Sequence, residues 1–185
     1  MTSARDVARI FEYLSMQSDG AIIEKTRLNK LLYFAQGHAL AEFGHELFPN
    51  QIDAWAHGPV VAAVYSGYDK IVQRAQAEGI ADIQASPQEM EIILDVWDQY
   101  RGYKASELVE MTHEEDTPWS EAYVPGMKDR HIPQEAIRRF FARPENGLNH
   151  GLKDIGTLPT VDALPAEEYD PEEDAVWEAL LDAAQ

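Results

Sequence analysis

A chain of 185 residues suits one globular domain with a small appendage, and its 45% hydrophobic content supplies a core. It contains no cysteine, which excludes disulfides, thiolate chemistry and cysteine-ligated zinc, and no apolar run approaches the roughly 18 residues of a membrane helix. The formal net charge of -18 repels phosphate backbones, which argues against direct nucleic-acid binding and favours encounter with basic protein partners.

The N-terminal stretch "MTSARDVARIFEYL" has neither the long apolar run nor the cleavage pattern of a secretory signal, so a cytoplasmic location is expected. Val7, Ile10, Phe11 and Leu14 recur at helical spacing behind Ser3, a cap residue. Leu28, Leu31, Leu32, Ala35, Ala39 and Phe43 form the next stripe, opened by Thr26 and closed by Gly44. Tyr33, Phe34 and Leu40 make this helix apolar nearly all round, which predicts a central, buried position. "QIDAW" (51–55) alternates as a short strand does, with "ADIQA" and "RHI" as weaker strand candidates. It runs into Trp55-Ala56-His57-Gly58-Pro59. There Pro59 suits the first turn of a third helix through Val60, Val61, Val64 and Tyr65.

Ser86-Pro87-Gln88-Glu89 has the form of a capping box with proline at the first helical position. The helix behind it is expected to bury Met90, Ile93, Leu94 and Trp97. Shorter helices are predicted at 105–113, 118–123 and 133–143, with Pro118 and Pro133 at their starts. The fold class is therefore mainly α: a single compact helical domain with a minor short-strand element. Beyond Arg143 the composition shifts to proline, glycine and acids. Residues 144–185 hold eleven acids against one base, Lys153, whereas residues 1–143 hold twenty-two acids against fourteen bases. This divides the chain into a domain (1–143) and an acidic arm (144–185).

The chemistry-bearing residues do not assemble into a catalytic motif. His38, Glu42 and His45 sit at offsets of four and seven, a metal-ligating possibility if one helix carried all three, but Gly44 ends the helix before His45. The alternative is a polar helix face. His113 adjoins Glu114, Glu115 and Asp116, yet adjacent residues on a helix do not face each other, so the run is not a catalytic dyad. Nucleophile-elbow, zinc-protease, phosphate-loop and dinucleotide motifs are absent. No enzyme, cofactor or metal is expected. Gly58 and Pro59 make a rigid corner, and Trp55 and His57 either pack there or present a rim to a partner.

Three blocks in order carry a family resemblance: "RLNKLLYFAQGHALAEFGHELFPNQIDAWAHGPVVAAVYSGY", "LVEMTHEEDTPWSEAY" and "HIPQEAIRRFF". Their most specific residues are Leu28, Lys30, Leu31 and Tyr33; Ala54, Trp55, Gly58, Pro59 and Val60; Tyr65; and Thr112, His113, Pro118 and Trp119. Over about residues 5–142 the chain resembles the Panacea domain, the SocA-like antitoxin domain also met in phage-associated GepA-type proteins. The resemblance implies a non-enzymatic antitoxin paired with a cognate protein toxin. Neutralisation runs by direct binding or by delivery to an ATP-dependent protease such as ClpXP. The acidity fits a basic toxin. Rival classes are a metal-dependent hydrolase built on His38, Glu42, His45 or His113, and an acidic decoy that mimics nucleic acid.

The arm has a helix signal of its own at about 171–183. Asp170 can cap it, Pro171 takes the first position, and Glu172, Glu173 and Asp174 oppose the helix dipole at the correct end. Val176 with Leu180, and Trp177 with Leu181, give a short amphipathic face with a tryptophan anchor. The expected partner-binding residues are these four together with Trp55 and His57. The alternative for the arm is docking on its own body.

Overall fold

Residues 2–127 and 130–148 are described in the computed structural model. They form α1 (Ala4–Ser18), α2 (Lys25–Phe43), β1 (Asp53–Trp55), β2 (Gly58–Val60), α3 (Ala62–Glu78), α4 (Pro87–Tyr100), α5 (Ala105–His113), α6 (Pro118–Ala122) and α7 (Gln134–Phe141), then a 3-10 turn at Pro144–Asn146. The architecture is mainly helical with two short strands, as the residue patterning requires. The helix expected at about 171–183 lies outside the described residues. Among them, no helix is long and apolar enough to cross a membrane.

Local chemistry starts α1 and α4 and stops α2 where the sequence signals predict. The Ser3 hydroxyl accepts the Asp6 N–H at 3.2 Å while the Asp6 carboxylate accepts the Ser3 N–H. Ser86 and Glu89 repeat this reciprocal arrangement at α4, with Pro87 at the first position. Gly44, at φ 72°, ends α2 in the left-handed conformation that a glycine adopts without strain.

α2 is the axis of the fold. Every residue from Leu28 to Leu40 is buried, because α1, α3, α4, α5, α7 and the hairpin all pack against this helix. Its polar side chains are buried with it: Asn29, Lys30, Gln36 and His38 reach backbone or another side chain, while among the described residues the Tyr33 hydroxyl has no hydrogen-bond partner. Asn29 Oδ1 accepts the Val61 N–H at 2.9 Å. Lys30 Nζ donates to the Pro59 carbonyl at 3.0 Å. Gln36 binds a whole loop, accepting from Leu47 and Phe48 N–H and donating to the Phe48 carbonyl.

Several boundaries differ from the expectation. Pro59 does not open a helix. It lies in β2, which pairs antiparallel with β1 in the register Asp53↔Val60, Ala54↔Pro59, Trp55↔Gly58. The ladder and the clamps from Asn29 and Lys30 hold residues 58–61 extended, so α3 begins only at Ala62. α2 begins at Lys25, with Thr26 inside it. "ADIQA" forms no strand: Gly79 ends α3 at φ 60°, and Asp82 instead pairs with the buried Arg9 at 2.6 Å. "RHI" contributes a single bridge, His131 to Asp53, reinforced by Ile132 N–H to the Ile52 carbonyl at 2.8 Å. In α4 the buried face is Ile92, Ile93, Val96, Trp97 and Tyr100. Leu94 points outward and is 43% exposed, while Met90 is half-buried.

The contact between α2 and α7 depends on Gly37. A Cβ built there overlaps the ring of Phe141, which also packs edge-on against Tyr33 and His38. Gly37→Val is therefore expected to force α7 off α2 and cost about 1–3 kcal/mol as an overpacked core. Phe141→Ala in the same chain should then cost less than it does alone. Urea-denaturation midpoints of the two single variants and the double variant check this. A midpoint for Gly37→Val equal to that of the parent contradicts the close contact.

Candidate functional site

The residues that carry the sequence resemblance converge on the β1–β2 hairpin. Lys30 comes up from α2 and is fully buried, with its ammonium on the Pro59 carbonyl. Burial lowers its pKa to about 7. Gly58 takes φ 96°, and a Cβ there would lie 2.7 Å from Lys30 Cε and 2.8 Å from Thr112 Oγ1. Only glycine offers both that backbone conformation and that close approach. Thr112 is buried on α5 and gives its hydroxyl to the Val109 carbonyl. Thr117 Oγ1 in turn donates to the Thr112 carbonyl at 2.9 Å and, through its lone pairs, caps α6.

Two aromatic ladders flank this centre. Trp119 on α6 donates its indole N–H to the Trp55 carbonyl at 2.9 Å, tying α6 to the hairpin. His113 stacks on Trp119 at 3.8 Å, and Trp119 on Tyr123 at 4.6 Å. The His113 pKa is lowered by burial first, and then by the neighbouring Lys30 and His57. Its Nε2 is buried and, among the described residues, has no hydrogen-bond partner. On the other side Trp55 meets Tyr65 edge-on at 5.0 Å, and Lys25 Nζ lies 4.8 Å from the Tyr65 ring centroid and 5.2 Å from that of Tyr68.

Most of these residues are interior. Leu28, Leu31, Tyr33, Ala54, Val60, Pro118 and Trp119 are buried and hold the hairpin, α2, α5 and α6 together. What reaches the surface is a small rim: His57 and Tyr65 are exposed, and Trp55 is half-buried. Val176, Trp177, Leu180 and Leu181 lie outside the described residues. His38 and His45 are not brought together. His38 is buried against Phe141, with Nε2 3.3 Å from the Tyr100 hydroxyl, and His45 Nδ1 lies 3.2 Å from the Glu46 carbonyl oxygen. Among the described residues no three histidine or carboxylate side chains converge as a metal site would require. His113 is influenced by Lys30 and His57 rather than paired with the carboxylates that follow it.

Sequence reasoning missed the clamps made by Asn29 and Gln36. The signal was present: polar residues within a helix apolar on every face must find buried partners. It also missed that Lys30 is buried rather than displayed.

The family model described as "Antitoxin SocA-like, Panacea domain" matches residues 28–120, which contain all of the most specific residues from Leu28 to Trp119, while the block "HIPQEAIRRFF" at 131–141 lies beyond the match. Antitoxin SocA of Caulobacter vibrioides is 33% identical over 109 residues, covering 52% of this chain and 58% of the relative. The chain thus matches less than two thirds of that relative's length. No solved structure matches.

Two outcomes follow from the packed corner. Gly58→Val should lose stability by several kcal/mol, because it adds a clash with Lys30 and Thr112 to an unfavourable φ. A soluble Gly58→Val protein with the parental melting temperature contradicts the arrangement. Lys30 binds its proton less tightly when folded than in the unfolded chain, where its pKa is near 10.5. Between about pH 7 and 10.5 the unfolded state therefore binds more protons, so the Lys30 contribution to stability rises with pH and is lost as pH falls. Lys30→Met should flatten stability against pH over that window. An unchanged slope in denaturation series from pH 7 to 10 contradicts a buried, titrating Lys30.

Proposed function

Because the chain belongs to the SocA-like antitoxin, Panacea domain family, we propose that it neutralises a basic protein toxin by binding it directly. The supporting observation is how charge is distributed over the body. Residues 86–123, which run from the α4 cap to the end of α6, hold ten acids against two bases. Residues 1–85 hold ten acids against seven bases, so the body's excess of negative charge lies on the α4–α6 stretch. Glu91, Leu94 and Asp98 are exposed along the outward side of α4, and Tyr103 in the loop after it is 39% exposed. An apolar spot edged by carboxylates matches a partner that offers an apolar anchor among lysines and arginines. The exposed rim of the hairpin, His57 and Tyr65 with half-buried Trp55, and the arm residues Val176, Trp177, Leu180 and Leu181 extend the proposed contact.

Binding of this kind needs neither a catalytic group nor a cofactor. It uses surface, which is where a chain whose family motif is spent on packing still has freedom to specify a partner.

Co-expression with the product of the adjacent reading frame, in a host lacking ClpXP, tests the reading. Growth rescued without the protease is the expected result. Rescue only when the protease is present makes the chain an adaptor that delivers the toxin for degradation. A neighbouring product without toxicity overturns the proposal. Glu91→Lys with Leu94→Ala and Asp98→Lys, all at exposed positions, should weaken the purified complex by about tenfold or more, about 1.4 kcal/mol. An unchanged dissociation constant moves the contact off α4.

A further inference from the structure

We propose that the acidic C-terminal segment, residues 149–185, docks on the outward face of α7 and is held there by Arg139 and Arg143. Both halves of this contact are visible in the charge pattern. Residues 130–143 hold four arginines and one carboxylate, Glu135, a cationic stretch in a chain of net charge -18. Glu135 makes two hydrogen bonds of 2.8 Å to Arg138 and feels the charge of Arg139 only at longer range. Arg139 and Arg143 lie one turn apart, both exposed, and among the described residues neither forms an ion pair. The next 37 residues, 149–185, hold ten acids against Lys153.

The surface beside these arginines is shaped for side chains. Arg143 lies over the ring of Phe140 at 5.5 Å. A hollow of about 100 Å³ on the α6 side is lined by Pro118, Ala136, Phe140 and both arginines, with Asp116 and Glu121 as its acids. A second, of about 350 Å³ on the α2 side, shares Arg143 and adds Ala41, Phe141 and Leu148. The chain already turns back into this region. After α7 it reverses at Pro144–Asn146, Asn146 Nδ2 donates to the Phe140 carbonyl at 2.9 Å, and Leu148 packs half-buried on the core. The acidic segment therefore leaves the body at the edge of the cationic face.

Docking requires carboxylates for the two guanidinium groups and apolar side chains for the hollows. The segment's sequence supplies both within "EEYDPEEDAVWEALLD", where Trp177 and Leu181 recur four apart among acids. Tethering raises the local concentration of the segment to about the millimolar range, so weak contacts suffice. A basic partner that engages the same carboxylates must first displace them from α7.

Absence of cysteine makes the test clean. Spin labels on Ala142→Cys and Ala179→Cys in the full chain report the separation of segment and α7. The expected result is one short, narrow distance population. Arg139→Glu with Arg143→Glu should shift most of it to long, broad distances, with the melting temperature unchanged. Trp177→Ala, which leaves α7 itself intact, should produce the same shift. A broad, long distribution in the parent, or one unaffected by either variant, overturns the proposal. So does a short distance that appears only on mixing singly labelled molecules, which assigns the contact to a second copy. Toxin neutralisation is not read in this experiment, so its failure leaves the antitoxin reading untouched.

Discussion

The structure depends on a helix, α2, that has no solvent face from Leu28 to Leu40. Polar side chains in that stretch need partners from whatever surrounds them, an unpaired one costing about 1–3 kcal/mol. Asn29, Lys30 and Gln36 meet this requirement by binding backbone groups of residues 47–61, which lie in a loop and a two-stranded hairpin with few partners of their own. The obligation runs both ways. The helix needs acceptors and donors at these places, and the extended segment needs something rigid to hold it. Order in the hairpin follows from burial of the helix, and the turn at Gly58 follows from how closely Lys30 and Thr112 approach it.

Burying titratable groups has a consequence for stability against pH. Glu12, fully buried on α1, accepts the Ile23 N–H at 3.1 Å, and burial raises its pKa to about 7. The folded state binds the Glu12 proton more tightly than the unfolded chain does, so its contribution is full below about pH 4.5 and is lost as pH rises toward 7. Lys30 works in the opposite sense, its penalty being fully present below about pH 7 and relieved above it. The two destabilising contributions therefore overlap near neutrality, where the rest of the core must offset both. Arg9 adds a third buried ionic group, but Asp82 and Glu78 neutralise it at 2.6 and 3.5 Å.

The fold was legible wherever a local rule decides. The cap at Ser3, the reciprocal cap at Ser86, the glycine stop at Gly44 and the all-round apolar pattern of α2 each act within a few residues, and each is seen. Pro59 was misread because two rules competed. Proline fits a first helical turn, but tertiary clamps from a helix some thirty residues earlier hold this one in a strand. Leu94 shows the limit of counting apolar residues by period: of Met90, Ile93, Leu94 and Trp97 it is the one that points outward, and only the packing of Ile93 and Trp97 reveals which face is inside. For the candidate site, the sequence located the blocks but not their meeting. That Lys30, Gly58 and Thr112 touch depends on how α2, the hairpin and α5 pack, which no spacing encodes.

The burial of the family's motif bears on how such a protein gains its specificity. Residues that set a hairpin against a central helix are constrained by volume, φ and hydrogen bonding, so they have little freedom to change with a partner. The outward sides of α4 and α7 are constrained by none of these. One collects carboxylates around Leu94, the other arginines beside Phe140, and both are carried by helices whose inner faces already satisfy the core. Substitutions on those faces cost the fold about 0.5 kcal/mol or less each, so under the proposed reading encounter and selectivity change without loss of the fold. A scaffold divided in this way keeps its packing fixed while its charge pattern is rewritten, and the proposed contacts with a basic partner and with its own segment rest on the opposite charges of these two outer faces.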